Sequence, residues 1–451
     1  MLGRPPNVPR RERKRAHIDL GDIQGNVLRG YTLPAAAYLF LRIVDVDAAR
    51  ALMTRMLPHV MTAEPWAQRP GAAMNVALTA AGLERLVTPE VLASFPEAFR
   101  EGMAARADRL GDRGPSAPAH WVRGLGTGEA HALVTVYASS RPALRHAVTS
   151  VIGEDQGRRA VALVHLQQAM ALPEGRDHFG FFDGIAQPAV EGAGVQARAG
   201  DGQPDGAGGW RELAAGEFLL GYPDEDGTLP RAPVAPFDRN GTFVAYRKLH
   251  MDTAAFRRFV RDAGYPGGPE ALAAKIVGRW PDGTPLARSS RPDPAVPIND
   301  FGYRDDPLGL KCPVGAHVRR TNPRDAVGFF DGRLTNRHRI VRRGRPYGPP
   351  LPAGVTEDDG ADRGLVFVCF QADLYRQFET IQGLWIDDGD PLGLGADKDF
   401  LVGEPHGSDG KMTIPGHPPF FLKPQPRLVT MRGGEYLFQP SMRALRELAA
   451  G

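Results

Sequence analysis

The chain has 451 residues and a formal net charge of +3, too long for one ordinary core and suited to two domains of about 150 to 200 residues each. Its 42% hydrophobic and 24% charged residues are those of a folded globular protein, and no run of about 18 apolar residues offers a membrane span. No Lys/Arg patch interleaved with aromatics occurs in the body of the chain, which argues against nucleic acid as a partner. The two cysteines, Cys312 and Cys369, supply neither a disulfide framework nor a paired-cysteine metal motif. With no apolar export segment behind the N-terminal arginines, the chain reads as cytoplasmic.

Residues 1–19, with the basic cluster Arg10 to Arg15, read as a solvated tail. Tyr38 to Val46 then reads as a strand, and DAARALMTRMLPHV behind it keeps helical spacing up to its proline. Met74 to Leu86 repeats the strand-then-helix pattern, the segment from Glu129 repeats it again, and VALVHLQQAM at Val161 adds a strand. The second half has the same rhythm: GEFLLGY at Gly216, NGTFVAYRKL with a helix behind it, and GLVFVCF followed by ADLYRQFETIQGLW. Two α+β halves of like construction are predicted, each an antiparallel sheet with helices on one face. No glycine fingerprint for a nucleotide follows the first strand, so a doubly wound sheet is disfavoured. The Gly-rich stretch 192–209 reads as a linker between domains at 20–191 and 210–451, and 265–310 reads as loop-rich.

Three segments carry candidate chemistry. HFGFFDGIAQP, from His178 to Pro188, fixes Asp183 among aromatics, where a dry setting would raise a carboxyl pKa and suit it to proton transfer; a lone Asp-Gly pair is otherwise a turn. CPVGAHVRRTNPRD, from Cys312, sets His317 on a short apolar stretch followed by Arg319 and Arg320. Such a histidine is commonly a core residue, but a haem held through imidazole also needs cations for its propionates. NRHRIVRRGRPYG, from Asn336, is a basic strand; alone it reads as a solvated or phosphate-binding edge, and buried it could place a fixed positive charge beside an oxygen ligand.

Together and in this order, these segments resemble the dye-decolourising peroxidase family. Gly180, Asp183 and Gly184 match its GxxDG motif, AHVRRTNP its proximal histidine segment, and IVRRG its distal arginine segment. GDIQGNVLRGY, GLVFVCFQ and RGGEYLFQPS extend the likeness along the chain. The resemblance implies two ferredoxin-like α+β domains, with haem b held mainly by the C-terminal one. It assigns His317 to the iron, Arg319 to the haem, and Asp183 and Arg342 to peroxide, with Arg343 as the alternative arginine. It sets Leu365 and Phe367 over the distal pocket. A carboxylate should polarise His317; Asp390 is the choice, with Asp387, Asp388 and Glu379 as rivals.

The activity implied is reduction of hydrogen peroxide, with one-electron oxidation of organic donors such as dyes and phenols by way of an oxyferryl intermediate. Trp385 and Tyr347 lie near the matched motifs and are either relays for bulky donors or core residues. A haem carrier of the same fold, and a cofactor-free α+β hydrolase, are the competing classes; no GxSxG or HExxH motif supports the latter. The oligomeric state is left open.

Overall fold

The computed structural model describes residues 17–152, 159–205, 208–295, 299–327, 332–395, 397–405, 410–424 and 426–451. The N-terminal half contributes β1 (Ala35–Ile43), α1 (Val46–Met56), β2 (Ala72–Leu78), β3 (Ala132–Ala138), α2 (Arg141–Ile152) and β4 (Val161–Met170). The C-terminal half contributes β5 (Thr242–Met251), α3 (Thr253–Asp262), α4 (Gly268–Val277), α5 (His317–Thr321), β6 (Val341–Arg342), β7 (Gly364–Gln371), a π-helix (Tyr375–Ile386), β8 (Val429–Gln439) and α6 (Met442–Ala450).

These eight strands lie in one antiparallel sheet in the order β4-β1-β3-β2-β8-β5-β7-β6, and the short strand Arg345–Tyr347 joins it as a ninth, paired with β7. Each half taken alone has its strands in the order 4-1-3-2, the arrangement of a ferredoxin-like unit. The halves meet where Phe438 of β8 pairs with Leu78 of β2. The two-domain α+β expectation therefore holds at the level of topology, and the sheet runs through both units.

Strand alternation decides what each face does. On β5, Val244 and Tyr246 enter a core shared with Tyr38 and Phe40 of β1, Tyr137 of β3, and Val366, Val368 and Phe370 of β7. Phe243 and Ala245 point the other way, and further along that same face Arg247, Leu249 and Met251 line a cavity. In β8 the pairing shifts register between Met431 and Gly433, an extra residue that turns Met431, Gly434 and Tyr436 to one face.

Three sequence expectations are corrected. The 192–209 stretch is not a free linker: Ala193 and Gln203 are buried, and Gln203–Pro204 pairs with Trp210–Arg211; Gly206 and Ala207 lie outside the described residues. GEFLLGY is a tight turn in place of a strand, because Glu217 is drawn inward to Arg337 and Arg376 while Phe218, Leu219 and Leu220 fill the core. The tail ends early, since Ile18 is already buried; the Arg10 to Arg15 cluster lies outside the described residues.

Candidate active site

A cavity of about 280 Å³ opens over the Arg247/Leu249 and Leu365/Phe367 face of the C-terminal sheet. It brings together Asp183, His317, Arg342, Leu365 and Phe367, residues widely separated in the chain. Leu365 and Phe367 share a face of β7 by alternation, opposite Leu249 and Arg247 of β5.

His317 opens α5. Its Nδ1 donates to Oδ2 of Asp399 at 2.9 Å, leaving Nε2 as the nitrogen with a free lone pair. Asp399 is fully buried, and its other oxygen accepts the backbone N–H groups of Leu401 and Val402 at 2.9 and 3.0 Å. Burial pushes this carboxyl up, but His317 and Arg320 outweigh it and hold it below the ordinary value. Arg320 positions the pair. Its guanidinium, buried from solvent, donates to the carbonyls of Trp385, Ile386, Asp388 and Asp397, drawing the segment before Asp399 against the helix that carries His317.

Asp390 is thus not the partner of His317. It is exposed at the start of a single helical turn. Asp388 accepts the Asp390 N–H. Asp387 faces the Glu404 N–H, Gln382 and Lys398, and Glu379 is bound to Arg106 and Tyr436. The missed signal is Asp399 in DKDFLV, an acid followed by an apolar run that draws it inward.

Arg319 is also placed elsewhere. It is buried over the Tyr303 ring and donates to Asp306 and to the Cys312 carbonyl, and it is not among the residues lining the cavity. Among the described residues the arginines that do line it are Arg247, which is paired with Asp112, and Arg279, Arg324 and Arg339 beside Arg342. Burial, and then repulsion from Arg324 and Arg342, lowers Arg279 and Arg339 to about 10; burial alone lowers Arg324, against neighbouring acidic groups that raise it. Arg279 and Arg324 converge on Asn299 and the Phe301 ring. Buried guanidinium groups crowded in this way favour an anion between them. Two imidazoles among the described residues line the cavity, His317 and His338. His338 is held by Nδ1 on the Arg376 carbonyl and packs edge-on to Trp385, whereas His317 is the one backed by a buried carboxylate, and with the arginines this wall fits a flat iron macrocycle bearing carboxylates.

Asp183 and Arg342 stand together, with Oδ1 to Nη1 at 3.9 Å. Arg342 is fixed by its N–H on Gln187 and by Nη2 on the Ala186 carbonyl. Arg343, the next residue, points to the opposite face of the strand and donates to the carbonyls of Asn26 and Val27. Gly180 and Gly184 both take positive φ, 95° and 76°, a conformation glycine adopts without penalty. Asp183 itself is not dry: 41% of its side chain is exposed. The aromatic burial falls on Phe179 and Phe181, while Phe182 and Asp183 turn outward. Trp385 and Tyr347 are buried; Trp385 meets the His338 ring edge-on and lines the cavity.

The family model described as "DyP dimeric alpha+beta barrel domain" matches residues 22–167, and that described as "Dyp-type peroxidase, C-terminal" matches 267–392. A multifunctional dye peroxidase of an Amycolatopsis species is 31% identical, over 95% of this chain and 96% of its own. A dye-decolorizing peroxidase of Auricularia auricula-judae is 27% identical over 99% and 90%. Among solved structures, an ancestral D-type dye-decolorizing peroxidase superposes with a TM-score of 0.81 at 28% identity, covering 97% of this chain and all of that one. A local match of 80 residues, 18% of this chain, is 39% identical to a deferrochelatase of Yersinia pestis. The chain belongs to the dye-decolourising peroxidase family.

Proposed function

We propose that this chain is a haem b peroxidase in which Asp183 and Arg342 handle hydrogen peroxide and His317 holds the iron, with organic donors such as dyes and phenols as electron sources. The observation that carries this reading is the convergence of Asp183, Arg342 and the Asp399-bound His317 on one cavity. Bound haem would supply an iron that accepts two oxidising equivalents from peroxide and returns them one electron at a time to donors.

The chain's own residues do the rest. Asp183 takes the proton from one peroxide oxygen and delivers it to the other, general acid–base work by one carboxyl. Arg342 sets a fixed positive charge where negative charge grows as the O–O bond lengthens. Asp399 keeps the His317 proton on Nδ1 and makes the ring a stronger donor through Nε2. Arg279, Arg324 and Arg339 would meet the propionates, the role first assigned to Arg319. Leu365 and Phe367 present an apolar surface that leaves the two polar residues as the hydrogen-bonding groups for peroxide. Both cysteines are buried and unpaired, which supports a cytoplasmic setting, and no described helix is long and apolar enough to cross a membrane.

The test is an absorption spectrum of protein loaded with haem, before and after one equivalent of hydrogen peroxide, for wild type and His317→Ala. A Soret band that moves rapidly with peroxide in the wild type and is lost in the variant is expected. A band that ignores peroxide would favour haem handling without turnover, the reading for which the local deferrochelatase match speaks. No band would sink both.

A further inference from the structure

A second carboxyl lines the same cavity. Asp177, six positions before Asp183, belongs to a tight hairpin in which Arg176 bridges to Phe182. Its backbone N–H donates to the Phe181 carbonyl at 2.8 Å, its carbonyl accepts the Gly180 N–H at 3.1 Å, and its Oδ1 accepts the Phe181 N–H at 2.9 Å. The far side of the hairpin is tied by the Asp183 N–H on the Gly175 carbonyl, at 3.0 Å, and by the Phe182 N–H on the Pro281 carbonyl. Arg176 donates to the carbonyls of Gly180 and Pro281. The Asp177 carboxyl therefore closes the loop from inside, through Phe181, which lies two residues from Asp183. No side chain of another element is bonded to it among the described contacts.

This carboxyl is the more enclosed of the two, half-buried where Asp183 is exposed. Burial, with the Asp183 charge added to it, pushes it up to about 7 against the backbone N–H groups of residues 179 to 181. A structural clamp needs no cavity face, and Asp177 has one.

We infer that Asp177 is a positioning residue of the peroxide pocket, holding the loop so that the Asp183 carboxylate meets the incoming proton. The inference rests on the proposed role of Asp183 as the proton acceptor. Removing the clamp frees the Phe181 N–H and lets the loop relax, and displacement of a reacting group by 1 Å can cost roughly a hundredfold. Asn at this position keeps an oxygen for the Phe181 N–H; Ala does not.

Cyanide and imidazole separate positioning from collapse. Hydrogen cyanide must surrender its proton to a base in the pocket as it binds, whereas neutral imidazole binds with no proton to place. In the haem-loaded protein, Asp177→Ala is expected to weaken cyanide about tenfold or more and to leave imidazole within about twofold, and Asp177→Asn to restore cyanide binding. In the haem-free protein, amide exchange over residues 175–184 should be faster for Ala than for Asn. Should the alanine protein not fold, Asp177→Glu, which moves the carboxylate by one methylene, is read the same way. Equal loss of both ligands, or loss of neither, overturns the inference. Asp183→Asn is the control: if it retains cyanide affinity, the role given to Asp183 fails first, and a cyanide defect confined to Asp183→Asn rejects Asp177 alone.

Discussion

Replacing Asp399 with Asn tests the proximal side with the least damage to the fold. Among the described contacts the native carboxylate accepts hydrogen bonds from His317 Nδ1 and from the N–H groups of Leu401 and Val402. Alanine would strand these donors, at about 1 to 3 kcal/mol for the buried Leu401 N–H and less for the half-buried others, and confound ligation with unfolding. Asparagine keeps an oxygen for the two backbone groups and turns its NH2 toward His317. Nδ1 must then accept, which moves the ring proton to Nε2, the nitrogen required by iron. Loss of a partner of this kind costs about 10- to 100-fold in metal affinity, or about 1.4 to 2.7 kcal/mol. If that loss falls on the ferric form, which profits most from an electron-rich imidazole, the midpoint potential should rise by about 60 to 120 mV at 59 mV per factor of ten. Haem titration followed at the Soret band, with spectroelectrochemistry on the loaded protein, reads both quantities. Wild-type affinity together with a shift below about 20 mV, a third of the tenfold step, would refute the reasoning. Asp390→Asn, at an exposed position, should change neither.

Arg342→Leu should slow the stopped-flow reaction with peroxide by about 10²- to 10³-fold, whereas Arg343→Leu should lower the melting temperature by stranding the Asn26 and Val27 carbonyls. Arg339→Met removes a buried cation crowded by Arg324 and Arg342, so the haem-free protein should melt higher while its haem affinity falls; melting and titration on the same preparations decide. Glu435, raised by burial to about 8 from 4.5, is protonated in the fold and ionised in the unfolded chain between those values, so its contribution is full below pH 4.5 and lost as pH rises toward 8. Urea midpoints at pH 5 and pH 8 should differ less in Glu435→Gln than in wild type, and an unchanged difference would count against the burial argument.

Much of the fold was legible because alternation and helical spacing are local. The paired strand–helix rhythm reports each ferredoxin-like half, and both adopt the same strand order. GEFLLGY misled because three consecutive apolar residues read as a strand, while a buried Glu217 held by two distant arginines makes a turn. The distal motif was legible in Gly180, Asp183 and Gly184, whose positive-φ glycines a sequence displays directly. The partner of His317 was not, since the choice between Asp390 and Asp399 depends on where Arg320 pulls four backbone carbonyls. Arg319 was hard to place for the same reason: adjacent arginines look alike until helix geometry sends Arg319 to Asp306 and the Cys312 carbonyl and Arg320 to the carbonyls before Asp399.

The location of the cavity follows from what the two halves insert between equivalent strands. In the N-terminal half the β1–β2 connection spans 44–71, and the outer sheet face, with Leu39, Leu41, Val76, Val134 and Val136, is closed by residues of α1, α2 and α6 such as Leu52, Leu144 and Leu445. In the C-terminal half the corresponding β5–β6 connection spans 252–340 and carries α3, α4 and α5, and the β7–β8 connection spans 372–428 and carries the π-helix and Asp399. A π-helix, with Glu379 N–H bonded to the Leu374 carbonyl and Asp387 N–H to the Gln382 carbonyl, is wider than an α-helix and found most often at functional sites. It supplies Phe378, Ile381, Gln382, Trp385 and Ile386 to the cavity wall. The longer connections bring His317 and Asp399 over the sheet and meet Phe367 along one side, through Phe378 of the π-helix, so the cavity lies where the N-terminal half has helices. Shortening either connection should close that space before it disturbs the shared sheet, and haem affinity should therefore fall earlier than thermal stability.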